Sequence, residues 1–193
     1  ISMRQFLQRL IITASLLLTG QTMDAAHLVG GEITYTCLGS NSYQITLRIY
    51  RDCNSGGAGF DNSVNFSVYD ISGNLLFNPS VTKGPTITVP TGTGNPCLTI
   101  PPNICTEYAE YVHTMTLPAR LGGYNISYQR CCRNSTITNI SASGKGNTYT
   151  VQVPTMDNCN STPQFTTIPP IVICQGDQLS IDASATDANG DSL

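Results

Sequence analysis

Tryptophan is missing from this chain, histidine occurs twice, and charged residues make up only 11% of it. Each scarcity excludes something. Lys83 and Lys145 are the only lysines and the formal net charge is −3. No basic cluster exists to neutralise a phosphate backbone, so nucleic acid is excluded as a partner. His27 and His113 are too few, and no C-x-x-C pair accompanies them, for a Cys/His zinc site. No Gly-x-Ser-x-Gly run or Cys/His pairing marks a nucleophile and its base. Thr, Ser, Asn and Gly fill the polar positions that Lys and Glu would occupy in helices, which favours strands and turns.

The N-terminus reads as an export signal over residues 1–26. Arg4 and Arg9 follow the expected start at Met3, Leu10–Leu18 is an apolar stretch too short to span a bilayer, and Ala25-Ala26 offers a cleavage site. No integral membrane span is expected once that segment is removed. Eight cysteines behind such a signal imply an oxidising compartment and structural disulfides. The expected location is therefore secreted, extracellular or on the outer cell surface.

Residues 27–154 carry strand patterns. Gly123–Asn134 is the organising stretch: Tyr124, Ile126, Tyr128 and Cys132 share one face and Asn125, Ser127, Gln129 and Cys131 the other. Its adjacent thiols project to opposite sides. Ile33, Tyr35 and Cys37 share a face of a first strand, and Tyr43, Ile45, Leu47 and Ile49 point inward from a second beyond the turn at Gly39–Ser42. Shorter runs follow at Val64–Val68, Thr86–Val89, Tyr108–Leu117 and Tyr149–Val153, with Ile137 and Ile140 in a further candidate. Turn signals every 8–12 residues without a helical period predict an all-β fold, an immunoglobulin-like antiparallel sandwich, with a closed barrel or jelly roll as alternatives. Residues 155–163 read as a linker. Residues 164–193 read as the truncated start of a second β-domain, with Leu179, Ile181 and Ala183 at period two.

The cysteines are constrained in part. Cys37, expected opposite Gln44, lies roughly 30 Å along the hairpin from Cys53 at strand rise, against about 4.4–6.8 Å between the Cα atoms of a disulfide. These two should not pair. Cys97 lies within the Pro/Gly/Thr loop between Pro90 and Pro102 and is expected to pair with Cys105 as a local clip, Cys159–Cys174 would tie the linker to the second domain, and Cys53 is assigned to Cys131 or Cys132. Cys37 is left without a partner.

Three motifs, His27–Tyr35, Tyr50-Arg51-Asp52-Cys53 and Tyr128–Asn134, together resemble the N-terminal region of large secreted surface proteins of Bacteroidota-type gliding bacteria. The run Thr186–Leu193 resembles the opening of cadherin-like or PKD-like β-domains. The resemblance implies type IX secretion, association with gliding motility or attachment, and no defined chemistry.

The leading expectation is thus a non-enzymatic module whose partner is an extracellular glycan or protein. The alternative is a carbohydrate-binding module or a copper enzyme in which an N-terminal His27 and His113 hold the ion, nitrogen ligands suiting Cu(II). Glu107 and Glu110 form a close carboxylate pair but read as solvated. Asp187, Asn189 and Asp191 offer oxygen ligands at alternate positions with Gly190 at the turn, the chemistry of calcium, although an Asx/Gly turn would use the same residues. Calcium is the one cofactor expected, and weakly bound.

Overall fold

The computed structural model describes residues 28–54, 59–91, 99, 101–131, 133, 137, 139–140, 145–155, 159–173, 175–176 and 178–192. Its strands are β1 (Leu28–Gly39), β2 (Ser42–Asp52), β3 (Ser63–Asn65), β4 (Ser67–Tyr69), β5 (Leu75–Phe77), β6 (Ser80–Thr88), β7 (Thr106–Thr116), β8 (Tyr124–Cys131), β9 (Gly146–Val153), β10 (Gln164–Phe165) and β11 (Ala185–Thr186). Two antiparallel sheets, ordered β1-β2-β7-β6-β3 and β5-β4-β8-β9, form the sandwich. Period-two alternation puts Tyr43, Ile45, Leu47 and Ile49 of β2 into the same core as Tyr124, Ile126 and Tyr128 of β8. Phe66, Val68, Tyr111 and Leu117 complete it, all at 0% exposure.

The sheets are joined along one side by a strand that changes partners. β3 pairs with β6, β4 pairs with β5 and β8, and Phe66 between them buries its ring while its N–H donates to Pro79 O at 3.0 Å. On the opposite side β1 approaches β9. Gly31 permits this, because a Cβ there would stand 2.9 Å from the Tyr149 ring. Near the start of β8 the Tyr124 hydroxyl donates to Pro118 O at 3.0 Å, the arrangement of a tyrosine corner. Gly123 just before it has φ +67°, and a Cβ would lie 2.1 Å from Val153 O. No other residue fits there.

The β1–β2 hairpin departs from the expected register. Ser40 and Asn41 adopt φ of 51° and 61°, a two-residue type I′ turn. Leu38 bulges out, so Cys37 stands opposite Tyr43 rather than Gln44. Strand content differs as well. Ile137 is outside any strand and Ile140 lies in a turn, whereas β5, an apolar triplet without alternation, had no signal in the sequence. Leu179, Ile181 and Ala183 form no strand: their side chains stay exposed, with no sheet among the described residues to bury one face of them.

The disulfides also correct the expected pairing. Cys53 and Cys105 bond to each other, with Cα atoms 5.3 Å apart. Asp52 pairs with Thr106 in the β2–β7 ladder, so the next residues outward in that register are these two cysteines. Long-range strand pairing therefore overrides the local Cys97–Cys105 clip and the link from Cys53 to Cys131 or Cys132. Cys37 bonds to Cys159 across 122 positions, which removes the Cys159–Cys174 pairing. Cys131 is disulfide-bonded as well. Cys97, Cys132 and Cys174 lie outside the described residues.

Leu47→Ala should cost about 2–5 kcal/mol in chemical denaturation, because it leaves a cavity between the sheets. Val112→Ala, on the exposed side of β7, should stay within about 0.5 kcal/mol of the parent.

Candidate functional site

The outer face of the five-stranded sheet carries a connected polar and aromatic patch. Cross-strand register sets Glu32 beside Arg48, Arg48 beside Glu110, and Tyr50 beside Tyr108. Arg48 Nη1 donates to Glu32 Oε1 at 2.9 Å, and Nε and Nη2 donate to Glu110 Oε1 at 2.8 and 2.6 Å. Its guanidinium also lies 5.3 Å from the Tyr108 ring centre, with Tyr50 and Tyr108 centred 5.6 Å apart. Burial alone would lower the Arg48 pKa, but the bonds to Glu110 and Tyr50 outweigh it and hold the charge more firmly than usual. Ile87 pairs with Tyr108 and adds an exposed apolar edge. Such a surface can stack and hydrogen-bond a planar or sugar-like ligand.

Glu107 is separated from this patch. It sits on the inward-facing side of β7 and pairs with Arg51, both side chains being mostly buried. The two glutamates thus face opposite sides of one strand, and each is neutralised by its own arginine instead of being free in solvent. They cannot act together on one glycosidic bond. The Arg51 guanidinium lies over the Phe60 ring at 5.3 Å. Beside it Arg130 pairs with Asp61, whose carbonyl accepts the Tyr111 hydroxyl at 2.7 Å. These inward ion pairs close one end of the core next to Cys53–Cys105.

The joint at residues 155–163 is tied down. Thr155 is buried, and its hydroxyl accepts the Arg120 N–H at 2.9 Å. Thr162 exchanges main-chain and hydroxyl hydrogen bonds with Tyr35 at 2.9–3.1 Å, and Ser161 Oγ accepts the Cys37 N–H at 3.1 Å. Residues 159–162 thus lie along the free edge of β1, antiparallel to it, with Cys37–Cys159 as their covalent stitch. From the other side Asn189 donates Nδ2 to Cys159 O at 2.9 Å and accepts the Ser161 N–H at 2.9 Å.

That places the calcium triplet. Asp187 Oδ1 accepts the N–H groups of Asn189 and Asp191 at 2.8 and 3.3 Å, and Gly190 has φ +81°, which makes an Asx/Gly turn. Asn189 Oδ1 is already engaged by Ser161. Among the described residues no group of three or more His, Cys, Asp and Glu could hold a metal.

His113 is half-buried in β7, and His27 lies outside the described residues. The copper alternative, which needs both histidines, therefore lies outside the described residues.

A cleft of about 690 Å³ is lined by Arg133, Ile137, Asn139, Ile140, Lys145 and Gly146. Arg133 Nε donates to Gly146 O at 3.0 Å. No helix among the described residues is long and apolar enough to cross a membrane. Comparison with protein-family models, with curated proteins and with solved structures finds no match for the chain.

Burial raises the phenol pKa of Tyr35, Tyr50, Tyr111, Tyr128 and Tyr149 above the ordinary 10.0. The stability linked to these groups is fully present below that value, where both folded and unfolded chains keep the proton. It is lost as pH rises past it toward the folded values, because the unfolded chain ionises first. Denaturation midpoints should hold steady from neutrality to about pH 9 and fall steeply above about 10. Tyr111→Phe should cost about 1 kcal/mol at neutral pH through the lost bond to Asp61, and should make the alkaline fall shallower.

Proposed function

We propose that this chain is a non-enzymatic module of an exported surface or adhesion protein of the kind its three N-terminal motifs resemble, serving attachment or display, in connection with gliding motility and type IX secretion. The observation that carries this reading is how the reactive side chains are used. Arg48, Arg51 and Arg130 are each matched to carboxylates, and Cys37, Cys53, Cys105, Cys131 and Cys159 are all oxidised. These arginines and cysteines are thus engaged in cross-strand ion pairs, in disulfides and, at Cys37–Cys159, in fixing the joint. Disulfides and inward ion pairs suit a protein that works outside the cell and must keep its shape there.

The Tyr50–Tyr108 pair on the open sheet face supports a second reading, a carbohydrate-binding module. Aromatic rings beside an arginine and two carboxylates combine a stacking surface with hydrogen-bond partners for hydroxyl groups. In this reading attachment is to a glycan, and the outer face of the larger sheet is where it docks.

Beads coated with the chain should adhere to cells or to an immobilised glycan panel, while incubation with the same glycans releases no product. Released oligosaccharide would defeat the non-enzymatic reading. Tyr108→Ala should reduce glycan retention at least tenfold if the sheet face is the contact. Unchanged retention would place the contact elsewhere.

A further inference from the structure

The path by which tension crosses the sandwich is set by one bond. β9 is an edge strand whose one ladder partner among the described residues is β8, and the chain beyond Val153 continues from its end. If a pull on the downstream chain acted through Val153 alone, it would strip β9 from β8 one residue at a time. Edge strands have little resistance to that geometry, because their ladder bonds break in sequence rather than together.

The chain does not offer that path. Six positions after Val153, Cys159 is bonded to Cys37 in β1. Beyond it, Ser161 and Thr162 are hydrogen-bonded along the same edge at Tyr35 and Cys37. Tension arriving from residue 163 onward first meets these bonds and then the covalent link. It passes into β1, which is held to β2 along its whole length, and leaves β9 unloaded. The Asn189 side chain steadies the same point through Cys159 O and Ser161 N.

We propose that Cys37–Cys159 is a load-bypass bond. It shortens the covalent path between the two ends of the module, so that the residues between the two cysteines lie in a closed loop that tension along the chain cannot extend. Only the β1 stretch before Cys37 and the chain after Cys159 remain extensible. The mechanical use of such a bond rests on the attachment reading above, but the bypass itself does not. Cys159 is exposed and Cys37 only partly buried, so a reductant in solution can reach the bond and restore the full extensible length.

Single-molecule pulling on the full chain, held by handles at its two ends, tests this. Oxidised protein should show no lengthening step attributable to the enclosed loop at forces that unfold ordinary β-domains. Adding a thiol reductant to the same molecules should produce a step approaching 122 residues of contour, roughly 400–440 Å at full extension before subtracting the folded end-to-end distance. Cys37→Ser with Cys159→Ser should show, without reductant, a step shortened by at least the 52 positions that Cys53–Cys105 still encloses. Should the pair of substitutions prevent folding, the reductant arm alone decides. A full-length step in oxidised wild-type protein, or its absence after reduction in molecules that still unfold, would overturn the proposal. Loss of bead adhesion with the bypass intact would instead count against the attachment reading alone.

Discussion

Burial of two apolar strand faces against each other is the constraint from which the rest of this structure follows. β2 and β8 lie inside their sheets, and Ile45, Leu47, Ile49 and Ile126 are wholly shielded between them. With so few charges, the chain has little else to oppose the entropy of ordering its many Gly, Ser, Thr and Asn residues. The core sets where the sheets meet, and the meeting sets the partners of everything at the rim. Phe66 fixes where a strand crosses from one sheet to the other, and Gly31 and Gly123 let backbone approach closely where a side chain would block closure.

What the core does not hold, covalent and ionic links do. Cys53–Cys105 extends the β2–β7 ladder by one pair, and Arg51–Glu107 and Arg130–Asp61 close the core beside it. In the chain-entropy account, loops of the size closed by Cys53–Cys105 and Cys37–Cys159 each restrict the unfolded chain by on the order of 4 kcal/mol. The second of these bonds also decides how the chain leaves the sandwich. A segment with the composition of a linker becomes an extra piece of sheet edge, and an Asx turn some thirty residues later rests against it.

Local alternation made much of this legible in the sequence. The inward faces of β1, β2, β7 and β8 follow from period two alone, and so does the sandwich class. Alternation is silent about which strands neighbour each other, and the disulfide partners depend on that adjacency. Cys53 and Cys105 are brought together by the β2–β7 register, a contact between residues 52 positions apart that no spacing rule encodes. The one-residue shift at Leu38 accompanies the left-handed conformations of Ser40 and Asn41, a pair that signals a type I′ turn less strongly than Asn-Gly because only Asn41 favours positive φ. Glu107 and Glu110 looked like one carboxylate pair because they are close in sequence, yet their facing arginines lie on opposite sides of the sheet. The Tyr50–Tyr108 patch had a legible half, two outward tyrosines, and an illegible half, their adjacency.

The described cysteine sulfurs are rivets of the sandwich and its joint. Mass mapping of the protein isolated from its native source, digested without reduction, tests that most directly. The account predicts peptides joined through Cys37–Cys159 and Cys53–Cys105, with no free thiol at Cys131. Free thiols at these positions, or sulfurs recovered bound to a metal ion, would contradict it.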